Sequence, residues 1–394
     1  MAQTDSIEYP FIHLERNYID HPDSSSGLQS FWMGYHDMLQ SKDRQLNIVH
    51  FGGSHIQADI YPNVIRNAFQ QSDAMLPGAR GFLFPYSAIK TNNPNNYKTK
   101  HQGEWTGQRS AVYGHSAVWG VNGVTALTTD SIASVTFLFR DSAFRVQADA
   151  VLVMANFSDS TYNLDTRNIP DLLAVDTTEE GYLMLYYTQL QDSVFLPFVQ
   201  LDTTATLQFY GCLAQRGAPG IVYHALGGNG SSFRAFNRCD LFTEQLRYLQ
   251  PDLAIISIGT NDTSDPDFDS LTYEQNYAAF IDRILEVNPN CALLLTVPND
   301  NYLRKKYHND NLDACRRIIY RLAQQYHGAV WDFYGIMGEA YSAKTWRNAQ
   351  LMKSDLIHFT NKGYLIKGDL LYQALMEDYL NWQLASGNAE PVDN

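Results

Sequence analysis

The sequence predicts an α/β protein: a parallel sheet between two helical layers, carrying an inserted antiparallel β-sandwich. Three observations predict it. After Pro219, short apolar runs alternate with amphipathic segments of helical spacing, as in repeated βα units whose parallel sheet is covered on both faces. Between about residues 76 and 215 the texture changes to partly alternating runs rich in Val, Phe, Tyr and Thr, separated by polar or acidic turns, as in an antiparallel sandwich. Far upstream, residues 46–51 form a strand-length apolar run that ends in Gly52-Gly53 and supplies the first strand of the parallel sheet. The expected division is therefore a discontinuous α/β domain, 1–75 with 216–394, and a β-rich insertion, 76–215.

Each element has a local reason. Leu28, Phe31, Trp32, Tyr35, Met38 and Leu39 recur at helical spacing and predict a helix over 28–39 packed on the core. Residues 58–71 read as a helix with Pro62 in its first turn, where the missing N–H costs nothing. Asn92-Asn93-Pro94-Asn95-Asn96 reads as loop, and strands are expected at 134–140, 150–157, 181–188, 194–201 and 205–211. Beyond them come a strand at 221–226, a helix at 231–249 capped by Ser231, a strand at 253–258, a helix at 273–287, a strand at 291–297, a helix at 311–326 and a short strand at 329–333. The last helix, 361–384, is expected to be interrupted or tilted near Gly368.

Composition narrows the function. The 45% hydrophobic content supports a sizeable core, and 18% charged residues is too few for a disordered chain. A net charge of −14 argues against nucleic acid and anionic lipid as partners, and the one short basic cluster, Arg304-Lys305-Lys306, reads as a solvated loop. No apolar stretch approaches the roughly 20 residues that span a bilayer. The opening Met1-Ala2-Gln3-Thr4 lacks a charged and apolar leader, and Ala-Gln reads as the scar of a removed signal peptide, so a periplasmic or secreted location is expected. Cys212, Cys239, Cys291 and Cys315 show no metal or redox spacing and read as buried free thiols. His50, His55 and Asp59 could be imagined as metal ligands, but they read as strand and turn residues; neither metal nor organic cofactor is expected. Tyr97, Trp105, Tyr113 and Trp119 could line a sugar platform, though packing is the plainer role.

Four short blocks carry chemistry. Ser54 follows a strand and a Gly-Gly turn, which sets its hydroxyl at the carboxyl edge of the sheet, where open α/β sheets place their sites. Gly227-Gly228-Asn229-Gly230 follows the next strand of the α/β part, and an N–H at the start of the helix after it can donate to a developing oxyanion. Gly259-Thr260-Asn261-Asp262 ends another strand; Asn261 offers a side-chain N–H, with Asp262 as a cap beside it. Asp355 and His358, three residues apart, can face one way in a helical turn or tight loop, the carboxylate holding the imidazole. Each block alone also fits a turn or a cap; their order and their placement at strand ends make the set specific.

Together these blocks resemble the SGNH (GDSL-like) hydrolase superfamily, whose fold is flavodoxin-like, over residues 28–75 and 219–384. Gly52-Gly53-Ser54 stands where the family has Gly-Asp-Ser, Gly259-Thr260-Asn261-Asp262 matches Gly-x-Asn-Asp, Asp355-Leu356-Ile357-His358 matches Asp-x-x-His, and Gly230 answers to the second block's glycine. Gly53 departs from the family's usual Asp, a structural hydrogen-bonder beside the nucleophile, and the resemblance implies a site that survives its loss. Ser54-His55-Ile56-Gln57-Ala58-Asp59, Gly78-Ala79-Arg80-Gly81-Phe82 and Thr91-Asn92-Asn93-Pro94 further resemble a group of bacterial SGNH proteins, including peptidoglycan O-acetylesterases, in which a sandwich like a carbohydrate-binding module is inserted after the first block. The resemblance implies a serine esterase with Ser54, His358 and Asp355 as triad and the amides of Ser54 and Gly230 with the Asn261 side chain as oxyanion hole. It also implies a short acyl group on a polysaccharide or peptidoglycan sugar as substrate. An O-acyltransferase using the same residues and a catalytically silent carbohydrate-binding protein are the alternatives.

Overall fold

A computed structural model describes residues 9–23, 27–140, 147–158 and 160–388; the expected leader scar at Met1-Ala2-Gln3-Thr4 lies outside the described residues. The α/β part is built on a six-stranded sheet. Its five parallel strands are Gln45–Gly52, Gly220–Gly227, Leu253–Ser257, Ala292–Thr296 and Ala329–Trp331. Numbered along the chain they lie in the order 2-1-3-4-5, the flavodoxin-like arrangement, with Ile19–Asp20 added antiparallel at the Ala329–Trp331 edge. The centre of the sheet is apolar on both faces: Ile48, Val49, Phe51, Ala254, Ile255, Ile256 and Leu294 are buried.

Apart from a small hairpin, Tyr302–Leu303 with Tyr307–His308, the other strands are antiparallel and fall between Gly81 and Gln215. They form a seven-stranded and a four-stranded sheet. Strands expected at 134–140, 150–157, 181–188, 194–201 and 205–211 appear as Ile132–Phe139, Ala148–Ala155, Leu183–Gln191, Ser193–Gln200 and Leu207–Gln215. Sequence reading missed Tyr97–Gln102 and Thr106–Arg109, which are largely polar and carry no apolar run to detect, and also the apolar strands Val124–Thr128 and Leu172–Thr177, which are only five and six residues long.

Two expectations need correction. The segment 231–249 is not one helix. Phe233–Asn237 is capped by Ser232, whose hydroxyl accepts from the Ala235 amide, and Phe242–Leu249 follows after a break. The final helix Asn361–Ser386 runs unbroken through Gly368. A Cβ there would stand 2.7 Å from Cβ of Val64 and 3.0 Å from the Tyr61 carbonyl, so glycine serves close approach to the helix Tyr61–Gln71. Pro62 does sit in that helix's first turn.

The four cysteines are buried free thiols. Tyr97, Trp105 and Trp119 are buried in the core, whereas Tyr113 is 96% exposed. Among the described residues no helix is long and apolar enough to cross a membrane, and no group of three His, Cys, Asp or Glu residues is placed to hold a metal.

Candidate active site

The chain turns sharply after the strand Gln45–Gly52. A Cβ on Gly52 would come within 2.2 Å of the Ile56 side chain, so glycine is required for the return. Ser54 opens a single helical turn, Ser54–Gln57, at the carboxyl edge of the sheet. His358 reaches it from the loop before the last helix, with Nε2 2.7 Å from the Ser54 hydroxyl oxygen. Nδ1 of His358 lies 3.0 Å from one oxygen of Asp355, and the other oxygen accepts the amides of Ile357 and His358, both at 2.9 Å. A bond from the Lys353 amide to the His358 carbonyl, 2.7 Å, closes the loop. Burial alone would raise the Asp355 carboxyl; the two amides and the imidazole outweigh it and hold the group below its ordinary value. Ser54 and a His–Asp pair some 300 residues further along the chain thus form one hydrogen-bonded line.

Behind this line His55 packs at a tilt against His358, ring centroids 5.1 Å apart, and its Nδ1 lies 2.8 Å from the Tyr364 hydroxyl. Burial and the nearby Lys367 hold His55 well below the ordinary histidine range, so it supports the catalytic-type imidazole as a neutral ring. His50 sits inside its strand, bonded to Tyr223 at 2.7 Å and Ser257 at 2.8 Å.

The three candidate oxyanion donors sit on the loops that follow three strands of the parallel sheet. The amides of Ser54 and Gly230 meet no acceptor among the described residues, and Gly230 adopts φ +84°, a left-handed conformation that favours glycine. Asn261 gives one amide hydrogen to the Ser231 carbonyl at 2.8 Å, leaving the second available. Asp262 holds the Phe233 amide at 3.0 Å, so it braces the neighbouring loop beside Asn261. Its second oxygen is buried without a partner among the described residues, and burial pushes this carboxyl up to about 7. Gly53 also has a visible reason: a Cβ there would stand 2.9 Å from the Asn261 amide nitrogen.

Sequence reasoning missed the residues that hold this loop. Gln57 accepts the Asn229 amide at 2.8 Å and donates to the Asn92 carbonyl at 2.8 Å, while the Asn229 side chain donates to Thr91 at 2.9 Å. Just behind, Asp59 pairs with Arg66 at 3.1 Å and with Arg80 at 2.6 Å, and accepts from Asn96 at 2.9 Å, all four side chains buried. These contacts join the first block to the start of the insertion. The polar runs 54–59, 78–82 and 91–94 were the available signal, but only their likeness to a group of proteins was legible.

Residues 201–366 match the GDSL-like lipase/acylhydrolase family. The α/β part has the fold of an SGNH-type hydrolase, and the GDSL-like match falls within its second segment and the end of the insertion. Its enzyme class is that of a serine carboxylic ester hydrolase. The family match leaves out Ser54, which the insertion separates from the rest of the hydrolase domain. Among solved structures, one described as a peptidoglycan O-acetylesterase in action is 20% identical, with a TM-score of 0.74, over 91% of this chain and 97% of that one. The hydrolase domain and the insertion therefore share their fold with a solved protein over nearly the whole length. An acetyl xylan esterase is 17% identical over 39% of this chain and 80% of its own, TM-score 0.32. A GDSL-like lipase from Bacteroides thetaiotaomicron is 22% identical over 40% and 76%, TM-score 0.31. No curated protein matches the chain.

Proposed function

We propose that the chain hydrolyses a short acyl ester, such as an acetyl group, on a polysaccharide or peptidoglycan sugar, through an acyl-enzyme on Ser54. The observation that carries the reading is the line Ser54–His358–Asp355, with contacts of 2.7 and 3.0 Å. In this reading Ser54 Oγ attacks the ester carbonyl carbon while His358 Nε2 takes its proton. Asp355, already ionised, steadies the imidazolium. The carbonyl oxygen becomes an oxyanion between the Ser54 and Gly230 amides and the Asn261 side chain. The intermediate collapses, the C–O bond to the alcohol breaks, and Nε2 returns the proton to the leaving oxygen. Water then attacks the acyl-serine by the same route, releasing the acid and restoring Ser54.

The substrate class rests on the likeness to a protein described as a peptidoglycan O-acetylesterase and on the insertion standing beside the site. Such a substrate calls for export to the periplasm or beyond. Ser54→Ala is expected to abolish turnover of p-nitrophenyl acetate and labelling by a fluorophosphonate while the circular dichroism stays unchanged; turnover persisting in the pure variant sinks the assignment. Products formed with an added sugar acceptor test the hydrolytic outcome: free acid should predominate, and transfer exceeding hydrolysis would make the chain an acyltransferase.

A further inference from the structure

A cleft of about 460 Å³ opens beside Gly230 and Asn261, between the hydrolase domain and the insertion. The loop Ser110-Ala111-Val112-Tyr113 of the insertion forms one side of it. Ala111 comes so near the oxyanion-hole loop that a Cβ on Gly230 would stand 3.7 Å from its methyl. Arg238 anchors this loop by donating to the carbonyls of Ser110 at 2.7 Å and His115 at 3.2 Å while lying over the Trp119 ring. The loop is thus held in place, yet it presents Tyr113 to solvent with 96% of its surface exposed. One helical turn before Arg238, Arg234 also lines the cleft, exposed and with no hydrogen bond or ion pair among the described residues. Asp265 and Asp267 stand on the rim.

Such a set has a recognisable chemistry. An exposed aromatic face on an anchored loop offers a flat apolar platform at little entropic cost. An unpaired guanidinium offers a fork of donors for hydroxyl or amide oxygens. The two rim carboxylates accept from hydroxyls and repel polyanions. A neutral sugar ring, with one apolar face and polar edges, answers to all three. We propose that Tyr113 and Arg234 form the subsite for the alcohol half of the ester: the sugar that carries the acyl group, or its neighbour in the chain, stacks on Tyr113 and hydrogen-bonds to Arg234. The proposal rests on the esterase reading and deepens it by assigning substrate specificity to the insertion.

The test compares two substrates and adds a binding readout that needs no turnover. On O-acetylated peptidoglycan strands, followed by acetate release, Tyr113→Ala and Arg234→Gln should each lower kcat/KM about tenfold more than they lower it on p-nitrophenyl acetate, the extra loss residing in KM. Tyr113→Phe, which keeps the ring, should restore most of it. In the Ser54→Ala background, the same strands should bind about tenfold more weakly once Tyr113 or Arg234 is replaced, as read by calorimetric titration. Equal losses on the two substrates, or binding within twofold of the parent, would overturn the subsite. Absence of turnover with both substrates in the parent, with the binding difference intact, would overturn the esterase reading and leave the subsite standing.

Discussion

Gly53→Ala tests the reading at the residue where this chain departs from the Gly-Asp-Ser pattern it resembles. The added Cβ would stand 2.9 Å from the Asn261 amide nitrogen and 3.5 Å from the Ser231 carbonyl oxygen. Comfortable contact begins near 3.5 Å, so the amide must retreat by roughly half an ångström. It does not move alone, because it also donates to the Ser231 carbonyl at 2.8 Å. An oxyanion donor works at about 2.7–3.1 Å, and losing one outright costs about 10²–10³ in kcat. Displacement with the Ser54 and Gly230 amides still in place should cost less, about tenfold to a hundredfold in kcat. Global stability should change by no more than about 1 kcal/mol, since alanine also narrows the unfolded ensemble. The assay is steady-state hydrolysis of p-nitrophenyl acetate by Gly53→Ala, Asn261→Ala and the double variant. If the methyl acts through the Asn261 amide, the double variant is as slow as Asn261→Ala and no slower. Parental kcat in Gly53→Ala, or fully multiplicative losses in the double variant, would refute the reasoning.

Other substitutions probe the remaining supports. Asp355→Asn removes the carboxylate that accepts the His358 imidazole and two amides, and kcat should fall by about 10³–10⁴ with the fold retained; a loss below tenfold would remove Asp355 from the line. Because its folded pKa is depressed, the contribution of Asp355 to stability is present above the ordinary carboxyl value and vanishes as pH falls through the folded value. Lys367 is buried among the rings of Tyr61, Phe333 and Phe359, and desolvation pushes it down to about 7. The unfolded chain therefore binds more protons between about pH 7 and the ordinary lysine value near 10.4, and stability rises across that window. The melting-temperature advantage of Lys367→Met should be greatest below pH 7 and shrink at pH 9; an advantage independent of pH would contradict the burial argument. Asp59→Asn leaves Arg66 and Arg80 buried without a counter-charge, and urea titration should show a loss of about 3–5 kcal/mol; a loss under 1 kcal/mol would mean the pair is not what fastens the first block.

The legible parts of the sequence were those written in local chemistry. Apolar runs ending in glycine, at Gly52, Gly227 and just before Gly259, marked the parallel strands and the residues at their carboxyl ends. Ser54, Gly230 and Asn261 followed from those positions, and Asp355 and His358 from their own spacing; Ser54, His358 and Asp355 form one hydrogen-bonded line, and the Asn261 amide stands beside Gly53. What stayed hidden depends on packing between distant segments. In residues 231–249 the weak helix formers Asn237, Cys239 and Asp240 mark the break after Asn237, but buried Phe233, Phe236, Phe242 and Leu246 on either side masked it. Gly368 read as a weak point because the Val64 and Tyr61 atoms that press on it lie some 300 residues upstream. Edge strands such as Thr106–Arg109, with no buried residue, leave no periodic trace.

The position of the insertion follows from the same contacts that make the site. One continuous apolar cluster runs from Val49 and Phe51 on one face of the parallel sheet, through Phe82, Phe84 and Val124, into the sandwich residues Val151, Leu185 and Phe209. Gly78 and Ala79 run against the edge strand Gly220–Gly227: a Cβ on Gly78 would stand 1.9 Å from the Ile221 carbonyl oxygen, and Ala79 bridges Val222. The edge of the hydrolase sheet is therefore covered by the first residues of the insertion. The segment that follows carries Thr91 and Asn92, which with Gln57 fix Asn229, one residue before the proposed oxyanion-hole Gly230. A sandwich tethered only by its two chain ends would leave Asn229 held by Gln57 without Thr91. Here it is held from both domains, so a change at the seam, far from Ser54 in sequence, is transmitted through Asn229 to the neighbouring Gly230.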